Sequence, residues 1–134
     1  VENLTLLKAT SGSDVYSETI IKTNEISVTA TSGANIDIEI TAQNLETNAT
    51  SGADIIISGT AVNHASSATS GSAIDAYNLK SENVIVKVTS GARINIYASK
   101  KIEAKATSGG AITVKGAPTK VNKKSTSGGR ISVN

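Results

Sequence analysis

Asp14 and Asp54 are the carboxylates whose placement invites a catalytic reading. Each stands two residues after the glycine of a Ser-Gly pair, and Asn35 holds the same place after Gly33. Asp37 and Asp75 share a second position, four residues after Gly33 and Gly71. Enzymes that cleave polysaccharides by inversion hold two carboxyl groups roughly 6.5–9.5 Å apart, one as acid and one as base. If the Ser-Gly pairs stack in space, Asp14 and Asp54 lie two layers apart, or ~9.6 Å at ~4.8 Å per strand. That is the edge of the range. Asn35 falls between them, and the only bases in residues 1–79 are Lys8 and Lys22. A polar ladder is the better reading, and no catalytic residue is expected.

Metal and cofactor chemistry lack their usual ligands. His64 is the only histidine and there is no cysteine, so neither a His cluster nor a thiolate site can form. The calcium-binding solenoid pattern Gly-Gly-x-Gly-x-Asp does not occur. Tyr77 and Tyr97, each six residues after a Ser-Gly glycine, are the other outward feature. Placed side by side, with Lys100 and Lys101 close by in sequence, they form a candidate glycan-binding group. Cross-strand packing of the two rings would also explain them.

What must position these side chains is a repeat. Ala-Thr-Ser-Gly begins at Ala9, Ala30, Ala49, Ala68 and Ala106, with Val88 and Ser125 opening two further copies. The corner glycines are Gly12, Gly33, Gly52, Gly71, Gly91, Gly109 and Gly128, spaced 21, 19, 19, 20, 18 and 19 residues apart. After each glycine, apolar residues alternate with polar ones, as in Ile36-Asp37-Ile38 and Ile94-Asn95-Ile96. Val15-Tyr16-Ser17 begins the series. A second alternating run enters each motif, for example Ile26, Val28 and Ala30. Period-two alternation marks strands with one buried face. One such unit cannot bury its face alone, but stacked units share a continuous core.

The predicted fold is all-β. It is a right-handed parallel β-helix (β-solenoid) of about seven coils, the hand following from the rule for parallel crossovers. Residues 1–134 make one domain. Glycine supplies the positive φ of each corner, serine hydroxyls can satisfy backbone groups there, and the motif threonines form an outward column. The chain has no Phe, Trp, Met or Cys. A thin aliphatic core of Ile, Val, Leu and Ala suits such a composition. His64, counted back from Ala68, falls on an inward position; it is either a buried neutral imidazole or turned out by a bulge that puts Val62 inward.

The segments Thr89-Ser-Gly-Ala-Arg-Ile-Asn-Ile-Tyr, Ala106-Thr-Ser-Gly-Gly-Ala-Ile-Thr-Val-Lys-Gly-Ala-Pro118 and Thr126-Ser-Gly-Gly-Arg-Ile carry a family likeness. Through them the chain resembles the auto-transporter adhesin, head GIN domain family of Bacteroidetes-type surface proteins. The resemblance implies an exported, right-handed β-helical, adhesive module at the cell surface, with no catalytic residues to carry over. It departs from the family in lacking the usual amino-terminal strands, which puts the amino-terminal cap in question.

Charge divides along the chain. Residues 1–79 carry nine acids against two lysines, −7, and residues 80–134 carry eleven bases against Glu82 and Glu103, +9. In a solenoid these become an acidic and a basic half. Val1–Lys8 read as the second part of a coil, and Arg130–Asn134 as the first. A homo-oligomer growing head to tail is one reading of such ends, and capping by neighbouring residues is the other. The basic half lacks interleaved aromatics and any nucleic-acid reader motif, so surface glycans, anionic ones included, are better candidates as partners, and lysines scattered on a solvated face are the plainer reading. No stretch reaches the ~18 apolar residues of a membrane span. The sequence thus points to a non-enzymatic, adhesin-like surface module, with a glycan-binding module as the alternative.

Overall fold

A computed structural model describes residues 4–16 and 20–133, with side chains from Leu7 onward. Ser17, read above as an inward residue, lies outside the described residues, as do Val1–Asn3 and Asn134. The described elements are all strands: β1 (Leu4–Ala9), β2 (Asp14–Tyr16), β3 (Ile21–Ala30), β4 (Asn35–Ala49), β5 (Asp54–Ala68), β6 (Ala73–Val88), β7 (Arg93–Ala106), β8 (Ala111–Lys115), β9 (Lys120–Ser125) and β10 (Arg130–Val133). Every pairing is parallel, in the order β1-β3-β4-β5-β6-β7-β8-β10, with β2 on β4 and β9 on β7. Coil sits on coil, giving a β-solenoid of about seven turns.

The corners deviate from expectation in two respects. Both the serine and the glycine of each corner lie in the left-handed region, Ser51 at φ 57° and Gly52 at φ 78° for example. The residue after the glycine donates back to the threonine carbonyl, as Ala53 N does to Thr50 O at 3.2 Å. Two consecutive positive φ values inside such a bond define a type I′ turn. Corner-serine hydroxyls make no hydrogen bonds among the described residues. The hydroxyls that do so belong two residues on: Ser13 and Ser72 donate to Thr10 O and Thr69 O, each at 2.7 Å. Corners are locked to each other by backbone, with Gly52 N donating to Ser70 O and Thr69 N to Ala49 O.

Inward side chains of successive coils stack in columns. Ile36, Ile55, Ile74, Ile94 and Ile112 form one, all buried. Ala30, Ala49, Ala68, Val88 and Ala106 form the last before the corner. Each buried Ile contributes roughly 1.5–3 kcal/mol relative to exposure. Where β4, β5 and β6 turn toward the next corner, strict alternation slips and two outward residues follow one another: Gln43 and Asn44, Val62 and Asn63, Glu82 and Asn83. There the chain starts the face that leads into the next corner, hereafter the third face; the face that leaves each corner is the first. The coil that starts at Gly71 carries an extra residue relative to its predecessor, and a register shift opposite Ile56 and Ser58 absorbs it around Tyr77.

Candidate functional site

The third face displays three outward positions per coil. The first row reads Glu25, Asn44, Asn63, Asn83, Lys101, Lys120. Asn63 Nδ2 donates to Asn44 Oδ1 at 2.9 Å, and Asn83 Nδ2 to Asn63 Oδ1 at 3.1 Å. An amide has two N–H donors and an acceptor oxygen, so every rung of this ladder keeps a donor for a partner in solvent. The second row passes through Glu46, Ala65 and Ile85, where the lone methyl of Ala65 leaves a hollow between longer neighbours. Ile85 is 57% exposed. The result is an open trough of about 720 Å³, reaching from Glu25 to Lys101. A smaller hollow of about 290 Å³ shares Glu46, Ala65 and Ile85 with it and ends at Lys87.

Beyond the trough the face becomes basic. Lys87, Lys105 and Lys124 are register partners in the third row, and Lys101 and Lys120 in the first. All five are exposed. The one ion pair among the described residues lies outside this group, between Lys100 Nζ and Glu82 Oε1 at 2.6 Å.

The sequence-derived candidates fare unevenly in this geometry. Lys101 lines the trough, whereas neither Tyr77 nor Tyr97 does. Lys100 is held by Glu82. The two tyrosines are half-buried and are not register partners: the ladder pairs Ala76 with Ile96 and next Ser81 with Ala98. Over the Tyr77 ring stands Lys115 Nζ, 4.7 Å from its centroid, a cation–π contact. Asp14, Asn35 and Asp54 do share one column, and Asn35 Nδ2 donates to Asp14 Oδ1 at 2.9 Å. Asp37 and Asp75 share another with Ile56 between them.

His64 points inward and is 2% exposed, so Val62 does not replace it. Its Nε2 lies 3.0 Å from Thr47 Oγ1, and Thr47 donates to Ser66 Oγ at 2.9 Å. Nδ1 has no partner. Burial without a counter-charge lowers the imidazole from 6.5 to about 3. The cluster is almost wholly buried and its imidazole neutral.

Comparison with known proteins fits this arrangement of rows on a solenoid. Residues 1–118 match the family described as putative auto-transporter adhesin, head GIN domain. The chain belongs to that family. A crystal structure of a putative adhesin from Bacteroides fragilis superposes on this head GIN domain with a TM-score of 0.81 and 26% sequence identity. The alignment covers 90% of this chain and 56% of the other, so the domain spans little more than half that protein's length. No curated protein matches the sequence.

Sequence reasoning missed the asparagine ladder of this head GIN domain. Its signal was present: Asn44, Asn63 and Asn83 each stand five residues before the opening residue of the next corner motif, Ala49, Ala68 and Val88. Counting forward from the glycines blurs it: Asn44 and Asn63 each stand 11 residues after theirs, but the extra residue near Tyr77 puts Asn83 at 12.

Proposed function

We propose that the chain is a non-enzymatic adhesin-like module of the cell surface, a rod that makes contact along its length. Family membership and the Bacteroides fragilis fold neighbour support this reading. The observation that carries it is the open trough on the third face, whose rows repeat coil after coil. A surface that sets side chains in rows at a regular layer spacing suits an extended partner. The acids on the first face are instead spread along columns, with Asn35 between Asp14 and Asp54 and Ile56 between Asp37 and Asp75.

Beads coated with the chain are expected to resist shear on mucin layers and bacterial lawns better than albumin-coated beads. Equal detachment of both kinds of bead from every surface would overturn the proposal. Glycan binding is the finer reading, and the presence of Lys101 in the trough favours it. Of the four residues singled out for that role, Lys101 is therefore the one to substitute first.

A further inference from the structure

We propose that the third face binds an anionic polysaccharide, its acidic groups on the lysine lattice and its uncharged sugar surface in the trough over Ala65. This rests on the adhesin reading and gives it a ligand class and a place. Two independent features meet there. The first is the pair of lysine columns, Lys87-Lys105-Lys124 and Lys101-Lys120, with layers ~4.8 Å apart. Like charges stacked directly opposite each other destabilise a sheet. Between the two columns Glu103 is the one acid, followed by Asn122, and none of the five lysines is in an ion pair among the described residues. Such an array is eased by a polyanion.

The second feature is the trough, which ends on Lys101 in the first row, beside the smaller hollow that ends on Lys87 in the third. Its free amide donors and acceptors suit hydroxyl groups, and the Ala65 and Ile85 side chains suit the C–H face of a sugar ring. Glu25 and Glu46 at the opposite end repel acidic groups, which fixes the direction in which the charged part lies. Lysines, as mobile point charges, tolerate irregularly spaced acids better than the rigid arginine fork does. Nucleic acid is the less suitable polyanion, because no aromatic residue stands in these rows to stack a base.

Binding of labelled alginate, dextran sulfate and neutral dextran to the intact chain tests the proposal. Alginate offers carboxylates and dextran sulfate sulfates, so the two arms separate these acid types. The expected result is binding of one or both anionic chains and none of dextran, weakening as salt rises from about 50 to about 300 mM. Lys105→Glu with Lys124→Glu should weaken it about tenfold or more, whereas Arg93→Glu with Arg130→Glu, an equal charge change on the first face, should cost less than about twofold. Ala65→Gln, which fills the trough, should weaken binding while leaving its salt dependence intact.

Equal losses from the two double variants would reduce the effect to net charge and overturn the proposal. So would binding of neutral dextran, absence of binding to either anionic chain, or equally tight binding of double-stranded DNA. Failure here with retention of coated beads in the shear assay rejects the site and keeps the adhesin reading; failure of both rejects both.

Discussion

His64 occupies the place that Leu45 and Val84 occupy in the coils on either side. With the Thr47 proton directed to Ser66, the Thr47 oxygen is left to accept, so His64 Nε2 carries the hydrogen and Nδ1 keeps a bare lone pair. Protonating Nδ1 would place an unpaired N–H and an uncompensated charge in an aliphatic interior. That is why the folded-state value drops from 6.5 to about 3. The unfolded chain then binds this proton first. The neutral imidazole's contribution is complete above about pH 6.5 and is lost as pH falls toward 3, by at most about 1.4 kcal/mol per unit. The urea midpoint should therefore fall between pH 7 and pH 4. His64→Leu, which installs the residue of the preceding coil and leaves the Thr47–Ser66 bond intact, should flatten the profile. Parallel profiles for the two proteins would show that the acid sensitivity arises elsewhere.

At the scale of the element, the corner carries a latent strain. A serine at φ 53–57° occupies backbone space that non-glycine residues enter at a cost of about 1–3 kcal/mol. Asparagine tolerates that region best, which is why Asn-Gly dominates type I′ turns. Ser51 is exposed. Ser51→Asn is expected to raise stability by about 0.5–1 kcal/mol and Ser51→Val to lower it by about 1–3 kcal/mol. Indistinguishable urea midpoints for the three proteins would remove the strain argument. Gly59 is constrained differently: a Cβ there would fall 1.8 Å from Ile40 O, so space as well as φ excludes a side chain. The corners were legible in the sequence because motif and spacing recur, and the inward columns because apolar residues alternate. The left-handed serine was not, since glycine alone could account for the bend. The trough was not, because it arises from what is missing: the small Ala65 between Glu46 and Ile85 signals nothing until register places the three in one row. Tyr77 and Tyr97 looked equivalent by counting, but the extra residue in the coil starting at Gly71 breaks their pairing.

For the whole molecule, two effects compete over end-on association. Charge favours it, with −7 in residues 1–79 and +9 in residues 80–134. Backbone complementarity favours it too, since each corner glycine donates to the serine carbonyl of the next coil. Lys123 opposes it. This residue extends the inward column of Val28, Thr47, Ser66, Val86 and Ala104 into the outermost described coil, where it is exposed. A second copy stacked there would set its ammonium against Leu7, the residue of β1 paired with Val28. Exposed ion pairs contribute about 0–1 kcal/mol each and are screened by salt, whereas burying an unpaired ammonium costs several kcal/mol. An inward-facing charge is also how natural sheets keep their edges from pairing. The lysine should win. Electron microscopy of the chain at low salt is expected to show discrete short rods, and Lys123→Val, which restores the aliphatic column, is expected to yield longer end-to-end assemblies. Filaments from the unaltered chain would mean that the Lys123 side chain escapes the junction, leaving the opposed charges of the two halves free to drive head-to-tail growth.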